Sequence, residues 1–441
     1  MKRKLILFFF LAGFVLLNGQ SKKIEFTQYK LDNGMNVILH QDNTTPIVAV
    51  SVLYHVGSKN EDPQRTGFAH FFEHLMFEGS PNIKRGEYFK IVEAAGGQLN
   101  ANTSFDRTYY FENLPSNQLE LGLYMESERM LHLKIDSVGV ETQRKVVKEE
   151  RKQSLDNRPY GTLIEKLFGN AYKVHPYRWT PIGSAQYIDQ AKLDEFINFY
   201  KKYYVPQNAT LTIAGDIDPA KTKELVKKYF GDIPKGSMEI VRPKEVEPVK
   251  TAEVRDTVYD NVQLPLVLLA YHMPAQGTSD YYALSMLGTL LTGGESSRIT
   301  KEVKDKQQKA LMVQSIPFPL EDPGLFIALA LCNMGVKAGD LEKALENEIQ
   351  KVKNELITET EFQKIKNQVE TDFVTRNSTV QGIGESLADY FVYFGDANLI
   401  NTELQRYMKV TREDIKRVAN KYFTNENRVV LYYLPKAMEK K

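Results

Sequence analysis

Cysteine is nearly missing from this sequence: Cys332 is the only one in 441 residues. Its scarcity excludes an intrachain disulfide framework and any cysteine-rich zinc module. An excess of either charge is missing too, with 57 Lys+Arg against 56 Asp+Glu. Nucleic-acid binding surfaces are usually strongly basic, so this balance gives such a partner no support. There is no phosphate-cradling glycine loop: GQLNANTSF (97–105) is not one, and TGG (292–294) is too short to mean nucleotide binding. After the first twenty residues no apolar run approaches the roughly 17–25 residues of a membrane span. What is present is ordinary globular composition, 42% apolar and 26% charged. The length suggests roughly two to four domains.

The first twenty residues depart from that average. Lys2, Arg3 and Lys4 precede the thirteen-residue apolar run LILFFFLAGFVLL (5–17), and Asn18, Gly19 and Gln20 follow it. A basic start, an apolar stretch of this length and a small residue at its end have the form of a secretory signal peptide. The expectation is a signal over residues 1–20 and an exported chain, periplasmic or secreted, with no membrane span after signal removal. Without its signal the chain carries 54 basic against 56 acidic residues.

Beyond residue 23, stretches rich in branched residues alternate with helical spacing. MNVILHQD (35–42), IVAVSVLYHVGS (47–58) and ATLTIAGDI (209–217) read as strands. TGFAHFFEHLMFEG (66–79) spaces Phe68, Phe71, Phe72, Leu75 and Met76 as a helix with a wide apolar face. The stretches 117–131 and 141–155 are also helix-like, whereas KGSMEIVRPKEVEPVK (235–250) has no apolar face and reads as a linker.

A faint internal repeat organises the rest. KYYVPQNATL (202–211) matches KYFTNENRVV (421–430), VLYHV (52–56) matches LAYHM (269–273), and HFFEHLMFEGS (70–80) falls on LGTLLTGGESS (287–297). A single long period means duplicated domains, not a solenoid. The expected fold is α+β, with two homologous α/β sandwich halves, each a mixed sheet covered by helices. Their expected bounds are 21–234 and 257–441, joined by a linker at 235–256.

His70, Glu73 and His74 form H-F-F-E-H within the helical stretch. Residues at i and i+4 lie one turn apart on one face, so both imidazoles reach a single ion. This is the inverted zinc-binding order, in which the carboxylate serves as a base. A catalytic zinc takes three protein ligands and leaves the fourth position to water. Two satisfied core histidines beside an exposed Glu73 are the bland alternative. For the third ligand, Val146 and Val147 mark an inward stripe, and Glu150 follows them by four and three residues on that face. Glu149 is turned about 100° away. A carboxylate aimed at the apolar side is costly unless it meets a cation, which favours Glu150.

HFFEH with Glu150 76 residues after His74 resembles the pitrilysin/insulinase family of zinc metallopeptidases, and the duplicated halves resemble its mitochondrial-processing-peptidase-like branch. VGSKNED (56–62), GGQLNANTSFDRTYY (96–110), HPYRWTPIGS (175–184) and GESSR (294–298) agree with that likeness. The resemblance implies one zinc per chain on His70, His74 and Glu150, with Glu73 activating water, and halves that together form one side of a clamshell. It also implies that Asn100 and Ala101 lie on an edge strand that pairs with an extended peptide substrate.

The second copy differs. His70, Glu73 and His74 fall on Leu287, Leu290 and Leu291, and Glu150 falls on Gln368. The family's second half usually supplies an Arg and a Tyr for substrate, yet the matching positions hold Lys304 and Leu311. Gln143 stands where many relatives have a supporting Glu. The resemblance therefore implies a zinc-less homologous partner that supplies Arg and Tyr. The expected function is an exported zinc endopeptidase cutting peptides or unfolded segments. A non-catalytic assembly subunit and a peptide-binding or chaperone-like module of the same fold are the alternatives.

Overall fold

The computed structural model describes residues 23–439, so the expected signal peptide lies outside the described residues. Two mixed sheets form the frame. The first holds β1 (Thr27–Lys30), β2 (Asn36–Gln41), β3 (Ile47–Tyr54), β4 (Gln98–Thr103), β5 (Thr108–Pro115) and β6 (Ala209–Gly215) in the order β1-β2-β6-β3-β5-β4. The second holds β7 (Val254–Asp260), β8 (Leu266–His272), β9 (Ala310–Phe318), β10 (Leu325–Cys332) and β11 (Arg428–Pro435) in the order β7-β11-β8-β10-β9. With β1 set aside the two orders match strand for strand. Each also has one parallel pair, β2 with β6 and β7 with β11. The fold is α+β with two homologous halves. Between the helix Pro219–Phe230 and β7 there is neither helix nor strand, and β7 begins inside the stretch read as linker.

Strand alternation sends side chains to opposite faces. On β3, Val48, Val50, Val52 and Tyr54 join the core that contains Phe68, Phe71 and Phe72. Ala49 and Leu53 face the other way, under Val380 and Ala388 of the helix Val380–Phe394. That helix belongs to the second half of the chain. The exchange is reciprocal: Leu266, Leu268 and Ala270 of β8 pack with Leu167, Phe168 and Ala171 of the helix Leu163–Ala171, from the first half. Each half thus lends a helix to the outer face of the other's sheet. A local hydrophobic pattern carries no signal for such an exchange.

The motif helix, Phe68–Leu75, has only eight residues. A helix this short is unstable alone and depends on tertiary packing. Phe196, on the helix Leu193–Tyr203, supplies it. Its ring centroid lies 4.6 Å from those of both Phe68 and Phe71. Phe68, Phe71, Phe72, Leu75 and Met76 are all buried, as their spacing predicts. Fully burying one such side chain stabilises by about 1.5–3 kcal/mol. Among the described residues no helix is long and apolar enough to cross a membrane. Cys332 is a buried free thiol in the second core.

Candidate metal centre

The motif helix projects His70 and His74 from one face, with ring centroids 4.9 Å apart. Opposite them runs the helix Ser137–Arg151, begun by Asp136, whose carboxylate accepts the Gly139 amide at 2.7 Å. Glu150, in its last turn, lies 3.5 Å from His70 Nε2 through Oε1 and 3.1 Å from His74 Nε2 through Oε2. The three ligand atoms lie within 4.8 Å of one another, the one such group among the described residues. Ligands about 2.0–2.1 Å from a tetrahedral zinc stand roughly 3.4 Å apart, close to these separations. Two imidazoles and a carboxylate are also the donor set that suits zinc. Hydrogen bonds from His70 and then His74 hold the Glu150 carboxyl far below the usual carboxylate range.

Glu150 faces the histidines as its helical position predicts, but one of the two valines used to place that face does not share it. Val147 is buried, whereas Val146 is 43% exposed. The inward stripe runs through Val140, Val147 and Glu150, spaced seven and three residues apart. Adjacent helical residues differ by about 100°, so two neighbouring valines cannot both face inward on a narrow stripe.

Glu73 is half-buried on the motif helix, and burial, with a smaller contribution from Glu73, disfavours ionisation of the Tyr110 and Tyr204 phenols. Among the described residues none engages its carboxylate in a hydrogen bond or ion pair. Tyr110 donates instead to the Phe72 carbonyl at 3.1 Å, tying the sheet to the motif helix. His70 Nδ1 is buried and has no hydrogen-bond partner among the described residues.

Asn100 and Ala101 lie on β4, an outer strand bonded to β5 alone. The hairpin closes with the Ser104 amide donating to the Arg107 carbonyl at 2.8 Å. Counting back along an antiparallel pair, Asn102 and Asn100 bond to β5, while Ala101 turns its amide and carbonyl to the free edge. The Ala101 amide donates to Asn100 Oδ1 at 2.9 Å. Ala101 packs against the core that holds the motif helix, and Asn100 is exposed.

Two supporting groups escaped the sequence reading. Glu78 is buried, accepts Gln143 Nε2 at 2.5 Å and pairs with Arg85, which donates to Asp136 at 3.0 Å. This chain ties the end of the motif segment to the helix bearing Glu150. Its signal was available, since Glu78 follows His74 by four residues as His74 follows His70. Glu61 is the other: its oxygens accept the Gly67 and Ala69 amides, both at 2.8 Å, at the start of the motif helix. Burial pushes the Glu61 carboxyl up to about 8, against the pull of the Ala69 and Gly67 amides. No spacing rule pointed to it.

In the second half, Leu287, Leu290 and Leu291 are buried in the core on the helix Ser279–Thr292. Lys304 pairs with Glu295 at 3.4 Å in the π turn Thr300–Lys306, and Leu311 is half exposed on β9, the outer strand of its sheet.

Residues 36–182 match the family described as insulinase (peptidase family M16), and residues 190–369 match that described as peptidase M16 inactive domain. A curated relative, zinc protease PqqE of Helicobacter pylori, is 34% identical over 422 residues, covering 95% of each chain. A solved protease from Helicobacter pylori superposes with a TM-score of 0.90 at 34% identity, over 93% of this chain and all of that one. The periplasmic protease PqqL of Escherichia coli shares the fold, with a TM-score of 0.77 at 18% identity, over 94% of this chain and 48% of that one.

Proposed function

The chain belongs to the insulinase family of peptidases, family M16, and on that premise we propose that it is an exported zinc endopeptidase acting on peptides or unfolded segments. The observation that carries this is the convergence of His70, His74 and Glu150 within 4.8 Å, beside a Glu73 carboxylate that none of the described residues engages in a hydrogen bond or ion pair. His70, His74 and Glu150 would hold the ion. A zinc ion held there would acidify a bound water and polarise a carbonyl. Glu73 accepts the water proton and delivers it to the leaving amine, acting first as base and then as acid.

Substrate positioning falls to β4. An extended peptide adds beside a free strand edge through main-chain hydrogen bonds. Ala101 presents its amide and carbonyl there, and a substrate carbonyl would displace the Asn100 side chain from that amide. Backbone pairing of this kind selects unfolded segments, because folded substrates have their backbone groups already bonded.

Assembly follows from what the second half lacks. Lys304 has no bidentate fork and Leu311 no hydroxyl, so a zinc-less homologous partner supplies the Arg and Tyr. The chain spans about half of the Escherichia coli periplasmic protease, which supports pairing with a second such unit and an exported location.

Metal content and turnover test this together. We expect about one zinc per chain, lost in His74→Ala, while Glu73→Gln keeps the zinc and loses hydrolysis of an unfolded peptide. A wild-type chain without zinc refutes the enzyme and leaves the peptide-binding module. Full activity of the isolated chain refutes the partner alone.

A further inference from the structure

Among the described residues the second half gives no ligand to the candidate metal centre, yet it grips the loop from which the motif helix starts. Lys59 is 4% exposed and surrounded by carboxylates. Its Nζ lies 3.0 Å from Asp106 Oδ1, 2.6 Å from Glu321 Oε2 and 3.1 Å from Asp322 Oδ2. Asp106 belongs to the first half, while Glu321 and Asp322 sit in the turn between β9 and β10. His55 adds a contact to Glu321 at 2.8 Å, and His175 lies 3.4 Å from Asp322. The same turn is held by its backbone. The Glu321 amide donates to Asp106 Oδ2 and the Asp322 amide to the Tyr177 hydroxyl, both at 3.0 Å. A buried ammonium that loses its partners is strongly destabilised, so this cage fixes where Lys59 sits.

Glu61, two residues on from that cage, reaches the metal helix. The turn Ser58–Asn60 is clamped by the Ser58 and Lys59 amides on Ser104 and Phe105 carbonyls, and by the Trp179 indole on the Ser58 carbonyl at 2.8 Å. Gly57 is needed there, because a Cβ would stand 2.5 Å from the Phe105 backbone. Glu61 then accepts the Gly67 and Ala69 amides. A helix start leaves four amides without intrahelical partners, and Glu61 satisfies amides of this kind beside His70.

We infer that Lys59 and Glu61 are positioning residues that tie the motif helix to the second half. Through Glu321 and Asp322, the second half sets how rigidly the first half presents His70, Glu73 and His74. The consequence for metal affinity rests on the zinc reading above; the effect on helix rigidity does not. The zinc-less half thereby acquires a defined task within its own chain.

Hydrogen exchange on the full-length chain in chelator tests this. Glu321→Gln with Asp322→Asn removes the two carboxylates that the second half sets on Lys59 but leaves the Lys59–Asp106 pair and the turn's backbone hydrogen bonds, so both halves still fold. Amides in residues 66–77 should exchange at least tenfold faster, while those of 36–54 stay as in the wild type. The charge-conserving pair Glu321→Asp with Asp322→Glu should restore slow exchange, and Glu61→Gln, which keeps one acceptor, should fall between. Unchanged exchange over 66–77 overturns the inference, as does equal acceleration in both segments. Co2+ titration gives a second readout: the neutral pair should bind at least tenfold more weakly, with an altered visible ligand-field band. A wild-type chain that fails to bind Co2+ would refute the metal reading and leave the exchange result to decide this one.

Discussion

Phe196→Ala should loosen the metal helix from beneath. The Phe196 ring is fully buried, stacked on Phe68 at 9° between planes and packed against Phe71, both at 4.6 Å. Large-to-small changes of this kind cost about 3–5 kcal/mol, from forfeited transfer energy and the cavity left behind. Each of the two ring pairings adds about 0.5–1.5 kcal/mol beyond area burial. The site is enclosed by aromatic rings that collapse poorly, so the upper part of that range applies. The chain supplies its own reporter, since it has one tryptophan, and Trp179 donates to the Ser58 carbonyl in the loop before the motif helix. Urea unfolding followed by Trp179 fluorescence should give a midpoint shift equivalent to at least about 4 kcal/mol, using roughly the wild-type slope. Val146→Ala, at an exposed position, should stay within about 0.5 kcal/mol. A destabilisation under about 1 kcal/mol in Phe196→Ala would mean that the eight-residue helix does not depend on this packing.

Other expectations bear on the edge strand, the interface and the second core. Ala101→Pro removes the edge amide on an outer strand, where proline is tolerated. It should lower kcat/KM about tenfold, the worth of one hydrogen bond, with zinc content unchanged; an unaffected kcat/KM rules out strand addition through Ala101. Burial raises Glu321, but His55 and Lys59 outweigh it and leave the carboxyl at about 2; Asp322 is also lowered to about 2, first by His175. With folded values below the unfolded ones, this stability is fully present above about pH 4.5 and is lost as pH falls toward 2. Allowing for their partial exposure it is on the order of 2–3 kcal/mol, and acid titration of wild type against Glu321→Gln with Asp322→Asn should show the difference vanish near pH 2. Leu287→His with Leu291→His restores the spacing of the metal motif, but at fully buried positions. It should destabilise the chain and bind no second zinc, and a zinc content of two would show that the second core tolerates a site.

Much of the candidate metal centre is legible from local spacing. His70 and His74 share a face because a helix repeats about every 3.6 residues, and that needs no structure to see. The same periodicity picked Glu150 over Glu149, although one of the valines used to place the inward face, Val146, points to solvent. The leucines at 287, 290 and 291 mark the second helix as core in the same way. The duplicated order of strands also shows in the repeat, before either sheet is seen.

The supports of the site were not legible, for one physical reason. Periodicity reports which residues share a face within one element, but not which distant element that face meets. Glu61 reads as one acid in a charged loop until the fold brings it to the Gly67 and Ala69 amides. Lys59 meets Glu321 and Asp322 across more than 260 residues of chain. The helices exchanged between the halves, Leu163–Ala171 and Val380–Phe394, cover sheets to which their own sequence neighbours do not belong. Local spacing was enough to pick out His70, Glu73, His74 and Glu150 and the half of the chain that carries them. What holds them in place was settled in three dimensions, because capping, caging and helix exchange depend on contacts closed through space.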